Sequence, residues 1–226
     1  MTVIIAEAGS GPAPQWDFPA WCDAAQQAGA TAIKMQCFHF DHFPEEEHES
    51  KLPLEFPRHR MAEFVSHAHS RRLQAGVSVF DEDAVHLAAR HCDFIKLASR
   101  EQFNTQLEVS AFYTHKPVYR SVHTLEPVLL SMRQVTLFTV PQYPAPLVLS
   151  CLRALQAARH YRRERARWGW SSHTTGTLDV LLACRLGAIV IEKHLDLDGR
   201  GLEAGHSLTP DKFAAMVSAI RKLERK

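Results

Sequence analysis

Short runs of β-branched and aromatic residues alternate along the chain with longer stretches whose apolar residues recur at helical spacing. Eight of the short runs read as strands: residues 3–6, 31–36, 76–80, 94–97, 117–121, 135–140, 168–171 and 188–192. The longer stretches predict helices over residues 18–28, 58–74, 82–91, 105–114, 125–133, 146–165, 177–186 and 209–224. Strand and helix alternating at this spacing imply parallel βαβ units. Eight such units favour an α/β fold of the closed (β/α)8 TIM-barrel type over an open sheet. Spread over 226 residues, each unit has about 28, lean against the roughly 250 typical of the barrel, so the connections must be short. The expectation is one compact barrel domain spanning residues 1–226.

Composition narrows the partners. With 46% hydrophobic and 23% charged residues the chain can bury one sizeable core. Lys plus Arg total 26 against 25 for Asp plus Glu, a formal charge of +1, so no global field draws the protein to nucleic acid or an anionic membrane surface. Any anion binding must be local. Cys22, Cys37, Cys92, Cys151 and Cys184 lack CxxC spacing and lie mostly in apolar stretches, which reads as reduced thiols. No apolar run reaches the roughly 18 residues a membrane helix needs, and Val3-Ile4-Ile5-Ala6 is too short for a signal segment. These features predict a soluble, cytoplasmic protein with small-molecule substrates. The acidic stretch 41–49 reads as a solvated loop. The basic stretch 159–167 ends the sixth helix, where cations complement the helix dipole.

In a parallel barrel the carboxyl ends of the strands converge on one mouth, and the chemistry gathers there. The residues expected at that rim are Glu7, Lys34, Gln36, Ser78, Asp81, Lys96, Ser99, Glu101, Ser121, Gln142, Tyr143, Ser171, His173, Glu192, Lys193 and His194. Lys34 and Lys96 each follow an apolar run in which an ammonium group is otherwise hard to place. Together with the serines they suit a small phosphorylated or carboxylated substrate, since amines supply charge and hydroxyls supply directed donors. His173 and His194 fall at adjacent strand ends, where two neutral imidazoles would hold an exchangeable divalent cation: Mn2+, with Mg2+ or Co2+ as alternatives. His206 is a less specific third candidate. Taken singly, each histidine also fits a structural role, and each lysine also fits a strand end reaching solvent.

These residues resemble the sialic acid synthase family, the phosphoenolpyruvate-dependent N-acetylneuraminate synthases. The resemblance runs in order through nearly the whole chain. It is carried by Ile5-Ala6-Glu7-Ala8-Gly9-Ser10, Ile33-Lys34-Met35-Gln36, Ile95-Lys96-Leu97-Ala98-Ser99, Gln142-Tyr143-Pro144-Ala145-Pro146, Ser171-Ser172-His173-Thr174 and Ile191-Glu192-Lys193-His194. It implies a (β/α)8 barrel and a carbon–carbon bond-forming transferase of carbohydrate biosynthesis. Such an enzyme condenses phosphoenolpyruvate with a sugar aldehyde, giving a nonulosonic, sialic-acid-like acid and phosphate. By this resemblance Ser78, Lys96, Ser99, Ser121 and Ser171 hold the phosphate, with Gln142 at the family's asparagine position. Lys34 meets the carboxylate, His173 and His194 bind the metal, and Glu7 or Glu101 activates water. Gln36, Tyr143 and Glu203 complete the expected substrate site, Glu203 standing roughly where the family has an aspartate on the sugar.

Several positions depart from the pattern. Ser10-Gly11-Pro12-Ala13-Pro14 replaces an Asn-His-x-Gly loop, and Ser172 replaces an aspartate. Arg100 replaces the glycine of Ser-Gly-Glu, and Ser121-Val122-His123-Thr124 replaces a Ser-Thr-Gly-Met turn. The expectation is therefore a divergent barrel lacking the family's C-terminal antifreeze-like domain, with any dimer, a homodimer included, using the barrel itself or another protein. Donor residues survive better than acceptor residues, so the acceptor stays open. Two other readings stand beside this one: a catalytically impaired barrel that binds a ligand or partner, and a Schiff-base aldolase using Lys34 or Lys96.

Overall fold

Eight parallel strands pair in chain order and close on themselves in a computed structural model that describes residues 1–13, 15–125 and 134–225. They are β1 (Val3–Gly9), β2 (Ala32–Cys37), β3 (Gln74–Val79), β4 (Phe94–Leu97), β5 (Val118–Val122), β6 (Gln134–Thr139), β7 (Trp168–Ser172) and β8 (Val190–His194). The ring closes where β1 pairs with β8, Glu7 opposite His194. The helices are α1 (Phe18–Gln27), α2 (His48–Lys51), α3 (Met61–Ser70), α4 (Glu82–His91), α5 (Thr105–Tyr113), α6 (Leu147–Arg163), α7 (Leu178–Arg185) and α8 (Pro210–Glu224). The helix expected over 125–133 falls almost wholly outside the described residues.

Two sequence expectations are corrected. The helix over 58–74 is shorter: a 3-10 turn over Arg58–Arg60 leads into α3, which stops before Arg72 takes a left-handed φ of 59°. A helix cannot continue through that conformation. The acidic stretch 41–49 is not a plain loop, since it coils into short helical turns, Phe40–His42 and Glu45–Glu47, before α2. Asp81 caps α4, its Oδ1 accepting from Ala84 N at 2.7 Å.

The strand period of two explains how the interior is layered. Inward residues at the amino ends of the strands are apolar: Ile5, Ala32, Phe94, Tyr119, Val135, Leu137 and Val190 form a closed inner core. Gly76 leaves room for that floor, because a Cβ there would lie 2.5 Å from Cδ2 of Phe94. Two residues further along the strands the inward positions turn polar, with Glu7 opposite Lys34, Ser78 opposite Lys96, and Ser171 opposite Glu192. Outward residues such as Ile4, Ile33, Met35, Val77, Ile95 and Ile191 pack beneath the helices in the larger outer core. Each large aliphatic buried there contributes roughly 1.5–3 kcal/mol. The barrel thus seals its lower half and presents a polar upper half. No helix among the described residues is long and apolar enough to cross a membrane. All five cysteines are free, and burial pushes the Cys22, Cys37 and Cys92 thiols up to about 12.

Candidate active site

A cavity of about 400 Å³ opens at the carboxyl ends of the strands. Among the residues expected at the site, Glu7, Lys34, Gln36, Ser78, Lys96, Ser99, Ser121, Tyr143, Ser171, His173 and His194 line it. Three others lie apart. Glu101 ends a 3-10 turn after β4 and is engaged outside the cavity, accepting from Arg100 Nε at 3.1 Å and Asn104 Nδ2 at 3.0 Å. Gln142 is exposed on the loop after β6. Glu203 sits behind His194 rather than on the wall. Lining residues to which the sequence reading gave no role include Phe43, Phe80, Arg100, His123, Thr139 and Glu192.

The floor of the cavity is an alternating ring of charges. Lys34 Nζ lies against a Glu7 carboxylate oxygen, donates to Ser78 Oγ at 2.6 Å, and stands 3.9 Å from Glu192 Oε2. Lys96 Nζ is 3.5 Å from Glu192 Oε1, which also accepts from Ser171 Oγ at 2.8 Å. Glu7 Oε1 accepts from the Gly9 amide at 2.7 Å. All four charged groups are buried. Burial pulls the Lys34 amine down to about 7, with Glu192 opposing, and pulls Lys96 down for the same reason. Burial alone would raise Glu192, but Lys96 and Lys34 together hold its carboxyl below the usual range. Two atoms at this floor, Ser121 Oγ and Glu192 Oε2, are buried without a hydrogen-bond partner among the described residues. A folded protein rarely leaves such atoms unserved unless a ligand or water meets them.

Across the mouth stand three imidazoles. The rings of His173 and His194 lie 5.5 Å apart between centroids, those of His194 and His206 4.5 Å. His173 Nδ1 faces the Val140 carbonyl at 2.9 Å. A carbonyl can only accept, so Nδ1 carries the hydrogen and Nε2 the lone pair. His194 Nδ1 faces Glu203 Oε2 at 2.6 Å, with the same consequence. This is the outer-shell pattern that orients metal-binding histidines. Burial, followed by the neighbouring His194, pulls His173 down to about 3, and burial likewise pulls His206 down to about 4, so both rings stay neutral. One atom each from His194, Glu203 and His206 also falls within 4.8 Å of the others. The donor set fits a divalent cation. Tyr143 leans over it, 4.2 Å from His173 and 5.0 Å from His206 between ring centroids.

Local sequence explains how these parts are delivered. Gly9, at a φ of 58°, is where β1 shifts register, and a Cβ there would fall 2.6 Å from Glu203 Oε1. Glycine therefore lets the Glu203 carboxylate reach His194. Two rim assignments are corrected: Asp81, expected at the mouth, caps α4 and pairs with Arg58 outside the cavity, and Lys193 points outward between β8 and the helices, because strand parity puts Glu192 and His194 inside.

The geometry has counterparts among known proteins. The sequence profile of the NeuB family matches residues 21–226. The N-acetylneuraminate-9-phosphate synthase of Drosophila melanogaster is 26% identical over 186 residues, 76% of this chain and 50% of that protein. The pseudaminic acid synthase of Helicobacter pylori is 30% identical over 169 residues, 68% of this chain and 49% of that protein. The chain thus spans about half the length of these curated relatives. The crystal structure of an N-acetylneuraminic acid synthetase from Leptospira borgpetersenii, in complex with citrate, superposes with a TM-score of 0.86 at 23% identity. It covers 99% of this chain and 84% of that one, a likeness of fold.

Proposed function

The chain belongs to the NeuB family, and from that premise we propose that it condenses phosphoenolpyruvate with an aldose to give a nonulosonic acid and phosphate. The observation that carries this reading is the pairing of a buried amine floor, Lys34 and Lys96, with an imidazole pair, His173 and His194, on one cavity wall. An anion clamp and an electrophile site are the two needs of such a reaction.

The roles follow from position. Lys34, with Ser78 at 2.6 Å, holds the carboxylate of the enol ester, while Lys96 and the hydroxyls of Ser99, Ser121 and Ser171 hold its phosphate. Gln36 and Tyr143, on the wall above, bound the acceptor. His173 and His194 would hold a divalent ion such as Mn2+ through Nε2, with Glu203 fixing the His194 ring. Such an ion supplies Lewis-acid polarisation of the acceptor carbonyl. So aligned, C3 of the enol ester forms a bond to the aldehyde carbon, the aldehyde oxygen gains a proton, and C2 becomes an oxocarbenium centre. Glu7 takes the proton from the water that adds to C2. Breaking the bond between C2 and the phosphate oxygen then releases phosphate, which carries off the proton of the new C2 hydroxyl, and leaves the keto acid; the proton on Glu7 balances the one the aldehyde oxygen gained. Glu7 is preferred to Glu101 because it lines the cavity, whereas Glu101 is occupied by Arg100 and Asn104.

Incubation of the purified protein with phosphoenolpyruvate, Mn2+ and a panel of aldoses is expected to release inorganic phosphate. EDTA should abolish the release, and Mn2+, Mg2+ or Co2+ should restore it. Silence across the panel, beside an active relative as control, overturns the reading. A second reading has one observation in its favour: a Lys34 amine pulled to about 7 by burial is partly uncharged near neutral pH, as a Schiff-base nucleophile must be. Under that reading pyruvate and borohydride trap an adduct, and EDTA has no effect.

A further inference from the structure

We propose that Arg100 and His123 form a phosphate-binding edge on the β4–β5 side of the mouth, an edge that takes a phosphate monoester. Neither residue belongs to the set implied by the family resemblance, since both stand where the resembled family has glycine. Both line the cavity. Arg100 follows β4 and His123 follows β5, neighbours in the ring, so they arise in the same sector as Lys96 on β4 and Ser121 on β5.

Arg100 is held in one plane. Its Cζ lies 4.5 Å from the Phe43 ring centroid and 4.6 Å from that of Phe80, while Nε donates to Glu101 at 3.1 Å and Nη2 to the His42 carbonyl at 3.0 Å. Those contacts leave Nη1 without a partner among the described residues. A guanidinium whose plane is already fixed loses little freedom on gripping an oxyanion. His123 is anchored through its backbone amide, which donates to Gln102 Oε1 at 3.0 Å, and Gln102 Nε2 in turn donates to Thr124 Oγ1 at 3.0 Å. His123 Nδ1 is buried with no hydrogen-bond partner among the described residues, as is Ser121 Oγ two residues before it. Unserved polar atoms of this kind cost free energy that a ligand oxygen recovers. Nη1, Nδ1 and Oγ are each able to donate to an oxygen of a phosphate monoester, in the sector of the mouth that Lys96 also faces.

Two molecules of the proposed reaction can bring that group: the enol ester itself, or an acceptor bearing a phosphate. Assigning the source rests on the proposed function; the edge does not. Binding to the full chain is measured by titration calorimetry with inorganic phosphate, phosphoenolpyruvate, mannose 6-phosphate and mannose. The proteins compared are wild type, Arg100→Ala and His123→Ala, with Arg100→Gln replacing any variant at that position that fails to melt cooperatively. Affinity for at least one phosphate monoester is expected to fall about ten- to a hundredfold in the Arg100 variant and about three- to tenfold in His123→Ala. Mannose binding should not change between proteins. A loss confined to phosphoenolpyruvate assigns the edge to the donor, and a loss confined to mannose 6-phosphate assigns it to the acceptor. The proposal is overturned if wild type binds none of the three phosphates, or if both variants stay within about twofold of it for all of them. Because no arm needs turnover, a protein that binds phosphates through Arg100 yet releases none from phosphoenolpyruvate refutes the proposed reaction and keeps the edge. Turnover with unchanged phosphate affinities does the reverse.

Discussion

Two buried amine clusters lie on opposite faces of the same barrel wall. Inside, Lys34 and Lys96 face Glu7 and Glu192. Outside, Lys193 is fully buried between β8 and the helices, where Nζ donates to Ser172 Oγ at 3.2 Å and to the Thr174 carbonyl. Close by, Asp179, also fully buried, accepts from Trp170 Nε1 and from Thr174 Oγ1, each at 2.8 Å. Burial depresses both sets of amines, Lys34 to about 7 and Lys193 to about 8, the latter with Asp179 opposing. Burial and a shifted amine therefore do not separate a site from a strut. The difference is in what is left unserved: the inner cluster opens on a cavity where, among the described residues, Ser121 Oγ and Glu192 Oε2 have no hydrogen-bond partner, while the outer one is closed by its own protein groups. The outer cluster still matters to the site. Ser172 and Thr174 flank His173, so Lys193 and Asp179 pin the backbone on both sides of that ring.

The sharpest way to break this contrast is Lys96→Met. Methionine keeps the volume but takes one of two amines from Glu192, leaving Lys34 at 3.9 Å, so the exchange should cost about 3 kcal/mol of stability. Phosphoenolpyruvate-dependent phosphate release should fall about a thousandfold in kcat/KM, because a charge-assisted contact to the phosphate is lost from a dry site. The variant should still melt cooperatively, with a melting temperature lower by roughly 6–12 °C. If turnover survives within about tenfold, the inner cluster is a strut as well. The converse substitution, Asp179→Ala, leaves Lys193 without its nearby carboxylate and two donors unpaired. Urea unfolding should show a loss of about 3 kcal/mol, while the folded variant binds phosphoenolpyruvate within about twofold of wild type. A fully stable Asp179→Ala would mean that the outer cluster holds nothing in place.

Much of the inner face was legible because strand parity is a strict rule. Once His194 points inward, Glu192 and Val190 must do so too, and Lys193 must not. Placing Lys193 at the rim neglected that parity. It is easily neglected in Ile189-Val190-Ile191-Glu192-Lys193, where apolar residues fall on both faces and no hydrophobic alternation shows which is which. Glu203 lies in an aperiodic segment, and its seat behind His194 depends on a bare Cα at Gly9, which only the assembled fold brings near. Glu101 was displaced by its own neighbours: the turn over Ser99–Glu101 aims it at Arg100 and Asn104, and short-range pairing of that kind leaves no periodic trace. The overrun of the third helix has the same origin, since a left-handed arginine at position 72 carries no signal in its residue type.

The smallest expected effect separates the two clusters by pH. An amine whose ordinary value of 10.5 is pulled to about 7 by burial, as at Lys34, is protonated in the unfolded chain and discharged in the folded one across that interval. The unfolded state then binds more protons, so folding stability rises with pH from about 7 upward. Lys193 adds the same sign from about 8. Stability alone therefore does not tell the clusters apart, but ligand binding does. On the proposed function phosphoenolpyruvate is held by the charged Lys34, so its affinity should weaken by up to about tenfold per pH unit above about 7, with no second break near 8. In Lys34→Met the affinity should be lower and flat over the same range, whereas Lys193→Met should keep the break near 7. Calorimetric titrations between pH 6 and pH 9 decide the matter: a break that persists in Lys34→Met, or vanishes in Lys193→Met, would place the titrating amine on the wrong side of the wall.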